Sequence, residues 1–222
     1  MNNTIIAVNR SSVLTDDQIK VCLPAFQQSM DDFASIWGIQ GTIGFAGSGD
    51  EPADGSWQLM ILDHTDTPGA GGYHYDQDGQ VGGKVFAADA IDAEAPWTID
   101  FTHEMLEMLG DPLTGTLVTV PGQSLQWFRE VCDPCEADQY GYLIGEVWVT
   151  DFVTPAYGDG AGPLFDFKNN LTAGAPTLLP GGYVTMYDPA TGEYHQKFAK
   201  QADGKLSRRA LHSRRMLHIM SK

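Results

Sequence analysis

Residues 103–111 read His-Glu-Met-Leu-Glu-Met-Leu-Gly-Asp. Placed on a helix, His103, Glu107 and Asp111 step by four residues and drift by only about 40° per step, so they form one stripe. Leu106 and Leu109 fall elsewhere on the helix and are expected to face a core. The ends of the stripe are about 12 Å apart along the axis, too far for one metal ion to take direct ligands from all three. His103 and Glu107 are the natural pair of ligands. Asp111 reads better as a turn residue or an outer-shell neighbour, because Gly-Asp-Pro is strong turn chemistry.

The stretch resembles the metal helix of zinc peptidases, His-Glu-x-x-His, with Glu107 where the second histidine stands. The resemblance implies a zincin-like fold in which His103 and Glu107 ligate the metal and Glu104 acts as general base. A third ligand comes from elsewhere. Glu130, in WFREVCDPCEADQYG, lies 23 residues after Glu107, a separation similar to that of the downstream glutamate in gluzincin peptidases. Asp111, Asp133, His64 and His74 are alternatives, and Glu136 and Asp138 cluster nearby. For either histidine alone, a surface or core role is the simpler expectation. Gly110 stands seven residues after His103 as in metzincins, but Leu113 occupies the position of their third ligand, so that clan does not fit. The fuller pattern, HEMLEMLGDP, then EVCDP, then PGGY, is similar to uncharacterised zincin-like proteins of bacteria and phages. It covers about residues 55–187 and implies no settled activity.

A His/Glu/Glu set suits Zn²⁺ first, but also Mn²⁺ or Fe²⁺. Further carboxylates would make the site oxygen-rich and admit Ca²⁺. The plain alternative is an amphipathic helix with Glu104 and Glu107 in solvent.

The 222 residues are enough for one good-sized domain with its own core. We expect a single domain over 1–196, with subdomains of about 1–112 and 113–196, and a basic tail over 197–222. The net charge of −16 is unevenly placed, because the tail holds eight of the 13 basic residues and one acid, Asp203. The acidic body opposes nonspecific nucleic-acid binding, and no nucleic-acid motif is present. No apolar run is long enough to span a membrane. No secretory signal is visible, which points to cytoplasm or virion. Cys132 and Cys135 form one C-x-x-C, too few ligands for a zinc ribbon; free thiols or a local disulfide are expected.

Along the chain, strands are expected at 3–9, 39–45, 57–63, 84–88 (as a short edge) and 142–152. Residues 15–37 carry an apolar stripe at helical spacing, with Pro24 as a kink or restart. Residues 64–83 read as a Gly-rich stretch around His74. Asp100 or Thr102 would cap the motif helix, and Gly110 would end it. Residues 125–131 are ambiguous between helix and strand, 155–180 read as a long loop, and 183–187 with 194–198 as a hairpin. The fold class is α+β: a zincin-like mixed twisted sheet with a backing helix, a metal-site helix and a loop-rich C-terminal part. Two functions follow. One is a metal-dependent peptidase acting on a protein or peptide laid along the edge near 84–88. The other is a non-catalytic structural protein of a phage virion or other assembly, joined to its subunits through the basic tail.

Overall fold

The first strand, β1 (Asn3–Asn9), leads through Thr15 into α1 (Asp16–Lys20) and α2 (Leu23–Trp37). These coordinates form a computed structural model that describes residues 3–67 and 70–201. Thr15 and Gln18 make a capping box that fixes the start of α1. The single helix expected over 15–37 is two, because Pro24 sits in the first turn of α2, where its missing N–H costs nothing. Then come β2 (Gly41–Ala46), β3 (Trp57–Leu62), β4 (Gly72–Gln77), β5 (Gln80–Phe86), α3 (Ala87–Asp92) and α4 (Trp97–Gly110). The C-terminal part holds β6 (Leu117–Thr119), β7 (Gln126–Phe128), β8 (Tyr142–Ile144), β9 (Val147–Val149), α5 (Pro155–Asp159), β10 (Tyr183–Asp188) and β11 (Glu193–Phe198). The chain is thus a mixed α+β fold with several sheets and a few helices.

The main sheet runs β2-β1-β3-β5-β4. Its first four strands are parallel and β4 joins antiparallel at the edge. This corrects the expected edge. Residues 84–86 lie inside the sheet, between β3 and β4, and the Gly-rich stretch supplies the edge strand that carries His74. The β4–β5 hairpin turns on Asp78 and Gly79, both at positive φ. Such a two-residue Asp-Gly turn matches the twist of paired strands. Residues 142–152 likewise form a hairpin, β8–β9, turned at Gly145 with φ 62, rather than one strand. Residues 126–128 resolve to strand in the second sheet, β11-β10-β7-β6, which contains the expected C-terminal hairpin.

Helix α4 is buried over Thr98–Gly110. It is enclosed rather than half-solvated, as a helix in the middle of a domain must be. Phe101 stacks on Phe26 of α2 with centroids 4.4 Å apart. Thr102 Oγ1 accepts from Thr150 N at 2.9 Å, tying α4 to the segment after β9. The helix begins earlier than expected: Pro96 is its N-cap, so neither Asp100 nor Thr102 caps it. Gly110 is its last residue, and its lack of a side chain serves close packing, since a Cβ there would meet Val131 Cγ1 at 2.9 Å. One continuous apolar cluster spans both halves of the chain, from Ile5 to Met186. Among the described residues no helix is long and apolar enough to cross a membrane. The expected basic tail falls outside the described residues from 202 onward.

Away from α4, Asp151 and Asp166 are both fully buried. Burial first, then the hydrogen bond and charge of Asp166, push the Asp151 carboxyl up to about 9. A carboxyl whose folded pKa is raised stabilises the fold fully below its unfolded value of about 3.9 and loses that contribution as pH rises toward the folded value. The loss is about 1.4 kcal/mol per pH unit within that window. The Tm of the protein should therefore fall more steeply between pH 6 and 9 than that of Asp151→Asn, which keeps a donor without a titrating proton. Equal slopes in thermal unfolding followed by circular dichroism would refute this.

Candidate metal centre

Glu107 lies at the middle of a buried cluster. Its Oε1 is 3.3 Å from His103 Nε2 and accepts the Cys132 N–H at 3.3 Å. Its Oε2 is 3.5 Å from His74 Nδ1, which also stands 3.6 Å from Glu104 Oε2. Asp133 Oδ1 lies 3.3 Å from His103 Nε2. Glu104, Glu107, Asp133 and Glu136 are 3%, 4%, 2% and 1% exposed, which removes the solvated-helix alternative.

Three elements deliver these groups. Helix α4 places His103, Glu104 and Glu107 toward the edge of the sheet. Strand β4 brings His74 to them, with Gly72 on the same side of the pleat. The space at Gly72 belongs to Glu104: a Cβ would meet its Cγ at 2.7 Å and its Oε1 at 2.8 Å. The third element is the segment after β7. It crosses Gly110 at Val131 and turns through a short 3-10 turn at Asp133–Cys135. Gly182 then passes so close to the Pro134 and Asp133 carbonyls that no side chain fits. That passage sets Tyr183 against Asp133, to which its hydroxyl hydrogen-bonds.

The electrostatics follow from burial without a lysine or arginine partner. Every ion pair of Glu104, Glu107, Glu130 and Asp133 among the described residues is with a histidine. Burial alone would lower the pKa of His74, but Glu130, Glu104 and Glu107 together hold it well above the ordinary value. His103 behaves likewise: burial opposes its charge, and Glu107, Asp133 and Glu104 outweigh it. Burial also opposes ionisation of Glu107, yet the two histidines hold its carboxyl well below the usual carboxylate range. The other carboxyls go the opposite way. Burial and then Glu107 push Asp133 up to about 7 against the pull of His103 and Tyr183. Burial raises Glu104, with His74 and His103 pulling back. Burial, Glu107, Asp133 and Asp111 push Glu130 well above its usual value. Protons thus stand in for missing positive charge.

The donors group into three sets whose atoms lie within 4.8 Å of one another: His103, Glu107 and Cys132; His74, Glu104 and Glu107; His103, Asp133 and Glu136. His103 and Glu107 come together as the motif suggests. Glu130 is in none of these sets; its Oε2 lies 3.9 Å from His74 Nε2 and is buried without a hydrogen-bond partner. Asp133, three residues on, is the carboxylate that reaches His103, in a set with Glu136 and without Glu107. Asp111 takes the turn role, accepting from Thr116 N and Oγ1. His64 sits at the surface beside Asp89, 2.8 Å away. Cys132 and Cys135 are free buried thiols, not a disulfide.

His74, an alternative ligand in the sequence for which a surface or core role is the simpler expectation, joins the buried cluster. The Asp78-Gly79 turn signal would have found its strand, and strand alternation would then have put His74 and Gly72 on one face. Tyr183 was within reach through PGGY. No family model, curated protein or solved structure matches the chain.

Gly72→Ala should cost about 1–3 kcal/mol, as overpacking of a filled interior does, because either Glu104 or β4 must move. Urea unfolding measures it. A midpoint equal to that of the unaltered protein would show that Glu104 does not occupy the space over Gly72.

Proposed function

We propose that this protein is a metal-dependent hydrolase of zincin type. A divalent cation is held by His103 Nε2 and Glu107, with Asp133 as the third donor in place of Glu130. The supporting observation is the buried His103 environment. Its Nε2 faces two carboxylates, the Asp133 Oδ1 has no hydrogen-bond partner, and among the described residues no lysine or arginine pairs with them. Buried charges are stable when paired or when they coordinate a metal. Cys132 is a weaker claimant, since burial and the surrounding Glu107 and Asp133 carboxylates push its thiol well up.

A cation in this place polarises a carbonyl and acidifies water. Glu104, one residue from His103 on α4 and shielded from solvent by Gly72 and His74, takes the proton from the attacking water. Burial, which raises its pKa, suits that role. The open side of β4, the edge strand beside the site, offers backbone groups to an extended peptide by strand addition. A peptide substrate therefore lies along β4. An imidazole replaced by a carboxylate at 107 weakens the Lewis acidity of zinc and widens the choice to Mn²⁺, so Zn²⁺ is the first candidate and Mn²⁺ the second.

Elemental analysis of the purified protein should find at least one divalent metal per chain, and His103→Ala should lose it. Glu104→Gln should abolish peptide hydrolysis while the ion at His103 stays in place. A metal-free native protein that takes up no added Zn²⁺ or Mn²⁺ would overturn the reading.

A further inference from the structure

Glu107 does something that a histidine at its position could not. Its two oxygens are claimed by two different histidines. Oε1 faces His103 at 3.3 Å, and Oε2 faces His74 at 3.5 Å. The groups around them divide in the same way. Asp133 and Glu136 gather at His103, Glu107 meets His103 in a separate set with Cys132, and Glu104 gathers with Glu107 at His74. Glu107 is common to both sides.

His74 also has the bonding pattern of a ligand. Its Nε2 lies 3.2 Å from the Asp111 carbonyl oxygen. A carbonyl only accepts, so Nε2 carries a hydrogen and donates it. Nδ1 is then the nitrogen turned toward Glu104 and Glu107. Ligating histidines commonly hold their other ring N–H on a backbone carbonyl, which fixes tautomer and ring orientation. The side chain is 6% exposed, so water does not supply this order. Glu130, at 3.9 Å from Nε2, lies on the carbonyl side and is a neighbour rather than a donor to Nδ1.

Charge points the same way. Glu104, Glu107, Asp133 and Glu136 are four carboxylates, each under 5% exposed. Carboxylates gathered out of water are stabilised by coordinating a cation.

We propose that the centre holds two divalent cations bridged by the Glu107 carboxylate. The first is the ion of the proposed function, at His103 Nε2, Glu107 Oε1 and Asp133. The second takes His74 Nδ1, Glu107 Oε2 and Glu104 Oε2, leaving Glu104 Oε1 for a proton. Both oxygens of one carboxylate span the separation of about 3.5–4 Å typical of two-metal sites. The nitrogen-and-oxygen donor set fits Mn²⁺ or Zn²⁺. The inference rests on the proposed function for the first ion only.

The test is metal stoichiometry. The protein is loaded with Mn²⁺, freed of excess by gel filtration, and assayed by elemental analysis and electron paramagnetic resonance. The expected result is about two Mn²⁺ per chain with a spin-coupled spectrum, the pattern of a two-metal site. His74→Ala and Glu104→Gln should each fall to one, with an isolated-ion spectrum. Glu107→Ala should lose the coupling whatever it retains. The coupled spectrum of the unaltered protein decides the matter even if a variant fails to fold. One uncoupled ion per chain would overturn the second site and leave the proposed function standing; no bound ion would overturn both.

Discussion

A carboxylate buried between two imidazoles organises this molecule. Glu107 is 4% exposed, and an ion of its size removed from water is costly unless its partners are close and well placed. Those partners come from three distant parts of the chain: His103 from one turn earlier on α4, His74 from β4, and the Cys132 N–H from the segment after β7. Meeting that requirement forces close approaches. Helix α4 must lie against the sheet edge at Gly72, the returning chain must cross α4 at Gly110, and the strand into β10 must cross the Asp133 turn at Gly182. At each crossing a Cβ would collide with a neighbour. The glycines are spaced by the needs of the site rather than by turn geometry.

The burial that creates the centre also explains why the helix was only partly legible. Periodicity put His103, Glu107 and Asp111 on one stripe; His103 and Glu107 share it, and Asp111 lies past the helix end. The same periodicity suggested a helix with one polar and one apolar face. Here the polar groups are inside because other polar groups meet them, and single-segment patterning cannot see that. The apolar strands β1 and β3 were read well because Ile5 and Ala7 on β1 and Leu59 and Ile61 on β3 alternate onto the core face. The edge strand was misplaced because Lys84 and its neighbours resemble an edge, whereas β4, with Gly-Tyr-His-Tyr, resembles a loop. The Asp78-Gly79 turn was the missed clue. The third donor could not be found by spacing. Glu130 and Asp133 are three residues apart, and only the turn at Asp133–Cys135 decides which of them faces His103.

Glutamate at 107 looks like a loss when the helix is compared with the zinc-peptidase motif it resembles. An imidazole there would offer one nitrogen to the site and its other nitrogen to an orienting partner. A carboxylate offers two equivalent oxygens on the same side. Only with the carboxylate can one residue of α4 face His103 and His74 together. His74 and Glu107 therefore belong to one arrangement, the imidazole supplied from β4 and the carboxylate from α4.

That arrangement has a consequence for the chemistry proposed. In a site with two histidines on one helix, the glutamate beside the first ligand faces open cleft and is free to move a proton. Here Glu104 faces His74, which stands 3.6 Å away, with Gly72 closing the space beside it. Burial raises the pKa of a group so confined, and what His74 carries pulls against it. With a proton on Nδ1, the histidine is a cation beside Glu104 and favours its ionised form, as does a metal ion in the same place. The state of His74 therefore shifts the readiness of Glu104, and the edge strand that would receive a peptide is the element that holds His74.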